Sequence, residues 1–193
     1  MKSLLFILVI TLYFSSCGSR EEKISSPTVV TKDTISDFFR VTSFLKGQIF
    51  EIKNGGTTPF RKTISNNKVD SSWVKMESMD SLFFEFLNPL IDSANLKATF
   101  VENKFLDQTV NAFTFSYDPI DISKNDFAFK RWDVYVDPDN QKVKRIYLIK
   151  KINENTQLQL TWQADKWCKI ITMNTSNNNT TVSKEETITW KYE

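Results

Sequence analysis

The amino-acid sequence predicts an α+β domain: two N-terminal helices packed on one face of a curved antiparallel meander sheet of about six to seven strands. Three observations predict it. Apolar residues before position 91 recur at spacings of three and four, the period of a helix with one buried face. From Leu96 onward the period changes to two, that of a half-buried strand. The links between the alternating stretches are mostly hairpin-length, and short links join antiparallel neighbours because a parallel crossover needs a dozen residues or more.

The domain is expected over residues 32–193, behind two N-terminal segments. Residues 1–16 read as a signal peptide: Lys2 is the positive start, Leu4 to Phe14 is apolar except for Thr11, and Ser15 and Ser16 are the small residues before a cleavage point. The apolar run is about half the ~20 residues that a spanning helix needs. Phe14-Ser-Ser-Cys17 resembles the signal of bacterial lipoproteins, which implies that Cys17 is acylated and becomes the first residue of the mature chain. Residues 17–31 are small and polar and form a tether. Its Glu21-Glu22 pair loosely resembles the acidic patch after the lipidated Cys in surface lipoproteins of Bacteroidota. Asp33-Thr34-Ile35 is similar to the O-glycosylation sites of the same phylum and makes Thr34 a candidate for that modification.

The first helix is expected over 36–53, capped by Thr34. Ile35, Phe38, Phe39, Thr42, Leu45, Ile49 and Ile52 form its apolar stripe, and Asn54-Gly55-Gly56 stops it. Phe60 to Ile64 alternates as a short strand, with Ser65 to Lys68 as a loop. A second helix is expected over 73–87, with Trp73, Met76, Met79, Phe83, Phe86 and Leu87 on one face, ended by Asn88-Pro89. Strands follow at 97–103, 110–117, 129–136, 143–152, 158–162, 167–173 and 187–192. Asp137-Pro138 opens one of the turns between them.

Alternation sorts the strand residues into two faces. Trp132, Val134, Leu160, Trp162 and Trp190 fall on the apolar face, which must be covered by helices, by curvature of the sheet, or by an apolar ligand. Asp133, Tyr135, Arg145, Tyr147 and Thr161 fall on the other, as in a sheet wetted on one side.

The chain has no histidine, which excludes Ser–His–Asp and Cys–His catalysis and His-based zinc sites. Two cysteines cannot make a cysteine cluster, and with Cys17 acylated Cys168 has no partner for a disulfide. Four glycines leave no phosphate-cradling loop. Asp133, Asp137 and Asp139 are the one carboxylate group that offers glycosidase chemistry, and two of them belong to a turn that favours Asp for its own reasons. A formal charge of +2 with interspersed signs gives nucleic acid no electrostatic purchase. No metal and no cofactor is expected.

The signal, the N-terminal helix, the Trp73 segment, RWDVYVDPDNQKVKRIYL and LTWQADKWCKI together resemble uncharacterised lipoproteins of Bacteroidota. In layout only, the expected fold resembles carriers and receptors of the LolA and LolB kind, which cradle acyl chains in a curved sheet. The expectation is a non-enzymatic lipoprotein of the cell envelope, anchored by lipid to the membrane, on either side of the outer membrane. It either binds an apolar ligand such as a lipid or acts as an interaction module for another envelope protein. A purely structural scaffold is the alternative, and a carboxylate-based glycan-active enzyme a remote one.

Overall fold

The computed structural model describes residues 38–92 and 94–192. Nine antiparallel strands form one sheet: β1 (Phe60–Ser65), β2 (Lys68–Trp73), β3 (Phe100–Asp107), β4 (Ala112–Pro119), β5 (Phe129–Val136), β6 (Val143–Lys151), β7 (Thr156–Gln163), β8 (Trp167–Ser176) and β9 (Asn179–Thr189). Their order is β2-β1-β9-β8-β7-β6-β5-β4-β3. Among the described residues the only helix of several turns is α1 (Val41–Asn54). Residues 76–98 contribute single turns, among them α2 (Met79–Leu82) and α3 (Phe84–Leu87).

This corrects the expected class. The domain is mostly sheet, with nine strands rather than six or seven, and the second long helix does not exist. Trp73 closes β2 instead of opening a helix. The Met and Phe stripe after it is cut into short turns, and Asn88, extended before Pro89, ends the last of them. A row of three and four spacings needs only to put Met79, Phe83 and Phe86 against the sheet, and separate turns do that as well as one helix. All three are fully buried.

Both extra strand regions come from Asn-Asn turns. Asn66 and Asn67 have φ of 49° and 60°, and Asn177 and Asn178 have 49° and 62°. Asn tolerates the left-handed region, and two such residues in succession make the tight hairpin turn that suits the twist of paired strands. Ser65 therefore pairs with Lys68 to start β2. Ser176 pairs with Asn179, so β9 begins eight residues earlier than its apolar end suggests.

The order of strands explains the helical layer. The β1–β2 hairpin lies against β9 at one edge, while β3 forms the opposite edge. Residues 76–98 must therefore cross one face of the sheet. Segment α1 crosses the same face in the opposite sense: Lys53 pairs with Asp80 at 2.6 Å, and Ser43 donates to Asp92 at 2.7 Å. The backbone N–H of Ile91 also donates to the buried Thr42 hydroxyl at 2.8 Å. At 1.5 Å per residue α1 is about 21 Å long, roughly half the ~38 Å width of nine strands. It starts at Val41 and not at 36, because Phe38 packs edge-on against Tyr117 and the Phe39 N–H donates to the Tyr117 hydroxyl. Among the described residues no helix is long and apolar enough to cross a membrane.

The core lies between this layer and the sheet. Its apolar content stops where the cover stops: on the helix-facing side of β9, Glu186 and Lys184 form an ion pair at 2.8 Å in line with Ile188. Among the described residues Lys150 is the buried charged side chain on this side of the sheet.

Candidate functional site

The five residues expected on the apolar face are all in the core. Trp132, Val134, Leu160 and Trp162 are completely buried and Trp190 nearly so. Trp162 meets Phe83 and Phe86 from the helical layer, with ring centroids 5.2 and 5.3 Å away, and Trp190 at 4.9 Å. Trp132 stacks on Tyr117 at 4.9 Å and meets Phe100 at 4.6 Å. Around Trp132 and Trp162 the neighbouring space is filled by the protein's own rings, whereas Trp190 also borders an open hollow of about 220 Å³ with Gln48 and Ile52 of α1. The indole N–H groups of Trp132 and Trp162 have no hydrogen-bond acceptor among the described residues. Cys17 and Thr34 lie outside the described residues.

The opposite face holds the candidate site. Antiparallel register brings Asp133 opposite Tyr147, Tyr135 opposite Arg145, and Tyr147 opposite Thr161. With Arg131 and Ile149 these residues line an open hollow of about 530 Å³ over β5, β6 and β7. Its floor at the β4 side is a buried polar cluster. The Ser116 hydroxyl donates to the Asp133 carboxylate. The Arg131 guanidinium reaches Asp133 at 3.2 Å and Asp118 at 3.5 Å, and donates to the Ser116 hydroxyl at 2.9 Å. Asp133 and Ser116 are buried, so the arginine supplies the positive charge that a desolvated carboxylate needs.

Arg145 differs from Arg131. Its guanidinium lies over the Tyr135 ring, 4.2 Å from the centroid, and no carboxylate of the described residues stands within ion-pair distance of it. Both hollow tyrosines hold their protons more tightly than a free phenol. For Tyr135 and Tyr147 alike, burial is the main cause and the charge of Asp133 the second. They present neutral hydroxyls at physiological pH. The hollow thus combines one ring-stacked cation outside any ion pair of the described residues, two aromatic rings with polar ends, an aliphatic wall at Ile149 and a hydroxyl at Thr161. A second hollow of about 350 Å³ on the same face, over β8, β9 and β1, includes Phe60, Lys62 and the Lys169–Glu185 pair at 2.8 Å.

The carboxylates considered for glycosidase chemistry are placed apart in role. Asp133 is held by Arg131 and Ser116, whereas the Asp137 carboxylate accepts from the backbone N–H groups of Asp139 and Asn140 and shapes the β5–β6 turn. Among the described residues no group of three acidic or cysteine side chains is arranged to hold a metal ion. Alternation had placed the hollow's residues on the wetted face. Their convergence depends on register between strands, which sequence spacing does not encode, and the Arg145–Tyr135 stack follows from it. Comparison with family models, curated proteins and solved structures finds no match to this chain.

Proposed function

We propose that this chain is a non-enzymatic envelope lipoprotein, tethered through Cys17, that docks a partner protein on the sheet face turned away from its helices. One observation carries the choice between ligand carrier and interaction module. On the helix-covered face Phe83 and Phe86 pack on Trp162, and Phe100 and Tyr117 on Trp132, while the opposite face keeps a Tyr- and Arg-lined hollow open. Tyr and Arg are the residues over-represented at the energetic centres of protein interfaces. Lipid anchorage rests on the signal sequence and on a polar tether whose typical span is ~20 Å.

The test is site-specific photo-crosslinking in cells that make the full chain. A benzoylphenylalanine at Thr161, inside the hollow, is expected to give a discrete adduct in the membrane fraction. The same probe at Phe50, exposed on α1, is expected to give none. No adduct at Thr161, or equal adducts at both positions, overturns the docking reading. Cys17→Ser is expected to abolish fatty-acid labelling and to release the protein from the membrane fraction; retained label overturns the anchor.

A further inference from the structure

Resting on the docking reading, we infer that the outer-face hollow is a receptor for an acidic segment of the partner, with an Asp or Glu carboxylate seated on Arg145. Four observations lead there. First, Arg145 is the hollow's cation outside any ion pair of the described residues: Arg131 is engaged by Asp133 and Asp118 at 3.2 and 3.5 Å, whereas Arg145 lies on the Tyr135 ring and feels the charge of Asp107 only at longer range. Second, the stack fixes the guanidinium plane in advance, and a held, planar fork matches the two oxygens of a carboxylate with little further loss of freedom. Third, the local charge tells against a dianion. Arg131 and Arg145 are balanced by Asp133 and Asp118, so a dianionic phosphate would bring a second negative charge toward two carboxylates. Fourth, the rest of the hollow suits a peptide. Ile149 and the Tyr147 ring offer contact for an apolar neighbour of the acidic residue, and the Thr161 and Tyr147 hydroxyls lie on the same strand pair to meet main-chain groups. A sugar ring would look for an open aromatic face, and one face of Tyr135 is already taken by Arg145.

The experiment uses the full chain in detergent micelles and four probes: a blocked hexaglutamate peptide, the matching hexaglutamine peptide, trigalacturonate and inorganic phosphate. Calorimetric titration is expected to show hexaglutamate binding at least tenfold tighter than hexaglutamine, and weakening as salt is raised. Arg145→Gln is expected to lower hexaglutamate affinity at least tenfold. Arg145→Lys, which keeps the charge and loses the fork, is expected to recover part of it. Lys62→Gln, a charge change in the neighbouring hollow, is expected to shift affinity less than twofold. Thermal unfolding of each variant confirms that the fold is intact. The inference is overturned if hexaglutamine binds as well as hexaglutamate, if Arg145→Gln is without effect, or if trigalacturonate or phosphate binds more tightly than the acidic peptide. Failure of this inference is separable from failure of the docking reading. A Thr161 adduct that forms in cells but survives Arg145→Gln leaves docking standing and removes the acidic occupant, whereas no Thr161 adduct removes both.

Discussion

Lys150→Met should loosen the helical layer without touching the outer face. Lys150 sits on the helix-facing side of β6 with a nearly buried side chain, 8% exposed. Its ammonium donates to the Glu85 carboxylate at 2.6 Å and to the carbonyls of Glu85 and Asn88, the two ends of the last helical turn before Pro89. The group lies 5.4 Å from the Phe129 ring centroid and 5.9 Å from that of Phe84. One buried cation therefore fastens the crossing segment to the sheet. Methionine keeps most of the stem's volume and loses all three bonds. A sealed ion pair broken on one side costs about 3–5 kcal/mol. Glu85, 35% exposed, can regain water, so the cost here should be smaller, about 2 kcal/mol, close to that of a hydrogen bond made by a charged group. For a chain of this size that lowers Tm by roughly 4–8 °C. Urea denaturation of Lys150→Met, Glu85→Ala and the double variant should give a coupling of about 1 kcal/mol. A Lys150→Met protein as stable as the parent, or no coupling, would refute the fastening role. Hexaglutamate affinity should be unchanged in Lys150→Met.

Trp162→Ala should cost about 3–5 kcal/mol in urea denaturation, as a large ring lost from a packed core does. Trp162→Phe should cost only about 1 kcal/mol, because the buried indole N–H that it removes has no acceptor among the described residues. Cys168 is completely buried, and burial followed by the charge of Glu186 pushes its thiol up. It should resist a thiol reagent in the native protein and react fully in denaturant, and Cys168→Ser should cost about 1–2 kcal/mol. Tyr117, Tyr135 and Tyr147 all ionise above the usual phenol value of 10.0, with burial as the leading cause. Raised native values mean that the folded state holds these protons longer than the unfolded one. Stability should be flat below about pH 10 and fall as pH climbs through the native values, with phenolate absorbance appearing together with unfolding. Phenolate absorbance rising at its ordinary pH in a folded protein would contradict this.

The meander was legible because its strands obey a strict alternation. The stretch 129–136 was bounded correctly from Trp132, Val134 and Val136 alone, and coincides with β5. The β2 strand was not legible, because an edge strand that buries almost nothing shows no alternation, and Trp73 at its end reads as the start of a helix. Its signal was the Asn66-Asn67 pair, which marks a hairpin turn more firmly than a generic polar link. The helical stripe misled because Met79, Phe83 and Phe86 report a buried face and not the continuity of the backbone that carries it. For the site, Tyr135 and Arg145 were visibly on the wetted face. Their stacking needed the pairing of β5 with β6, including its shift between Tyr135 and Val136.

The pairing of β1 with β9 joins Phe60 to Thr189 and Ser65 to Lys184, residues more than a hundred positions apart. Every other strand pair in the sheet is made between neighbours in the chain. Local hairpins form early and distant pairings late, since a long loop must close before it is rewarded. During synthesis the β1–β2 hairpin therefore has no strand to lie against until β9 has been made. A chain cut short before β9 would leave that hairpin without a partner and β8 with an open edge, which is a ready template for aggregation.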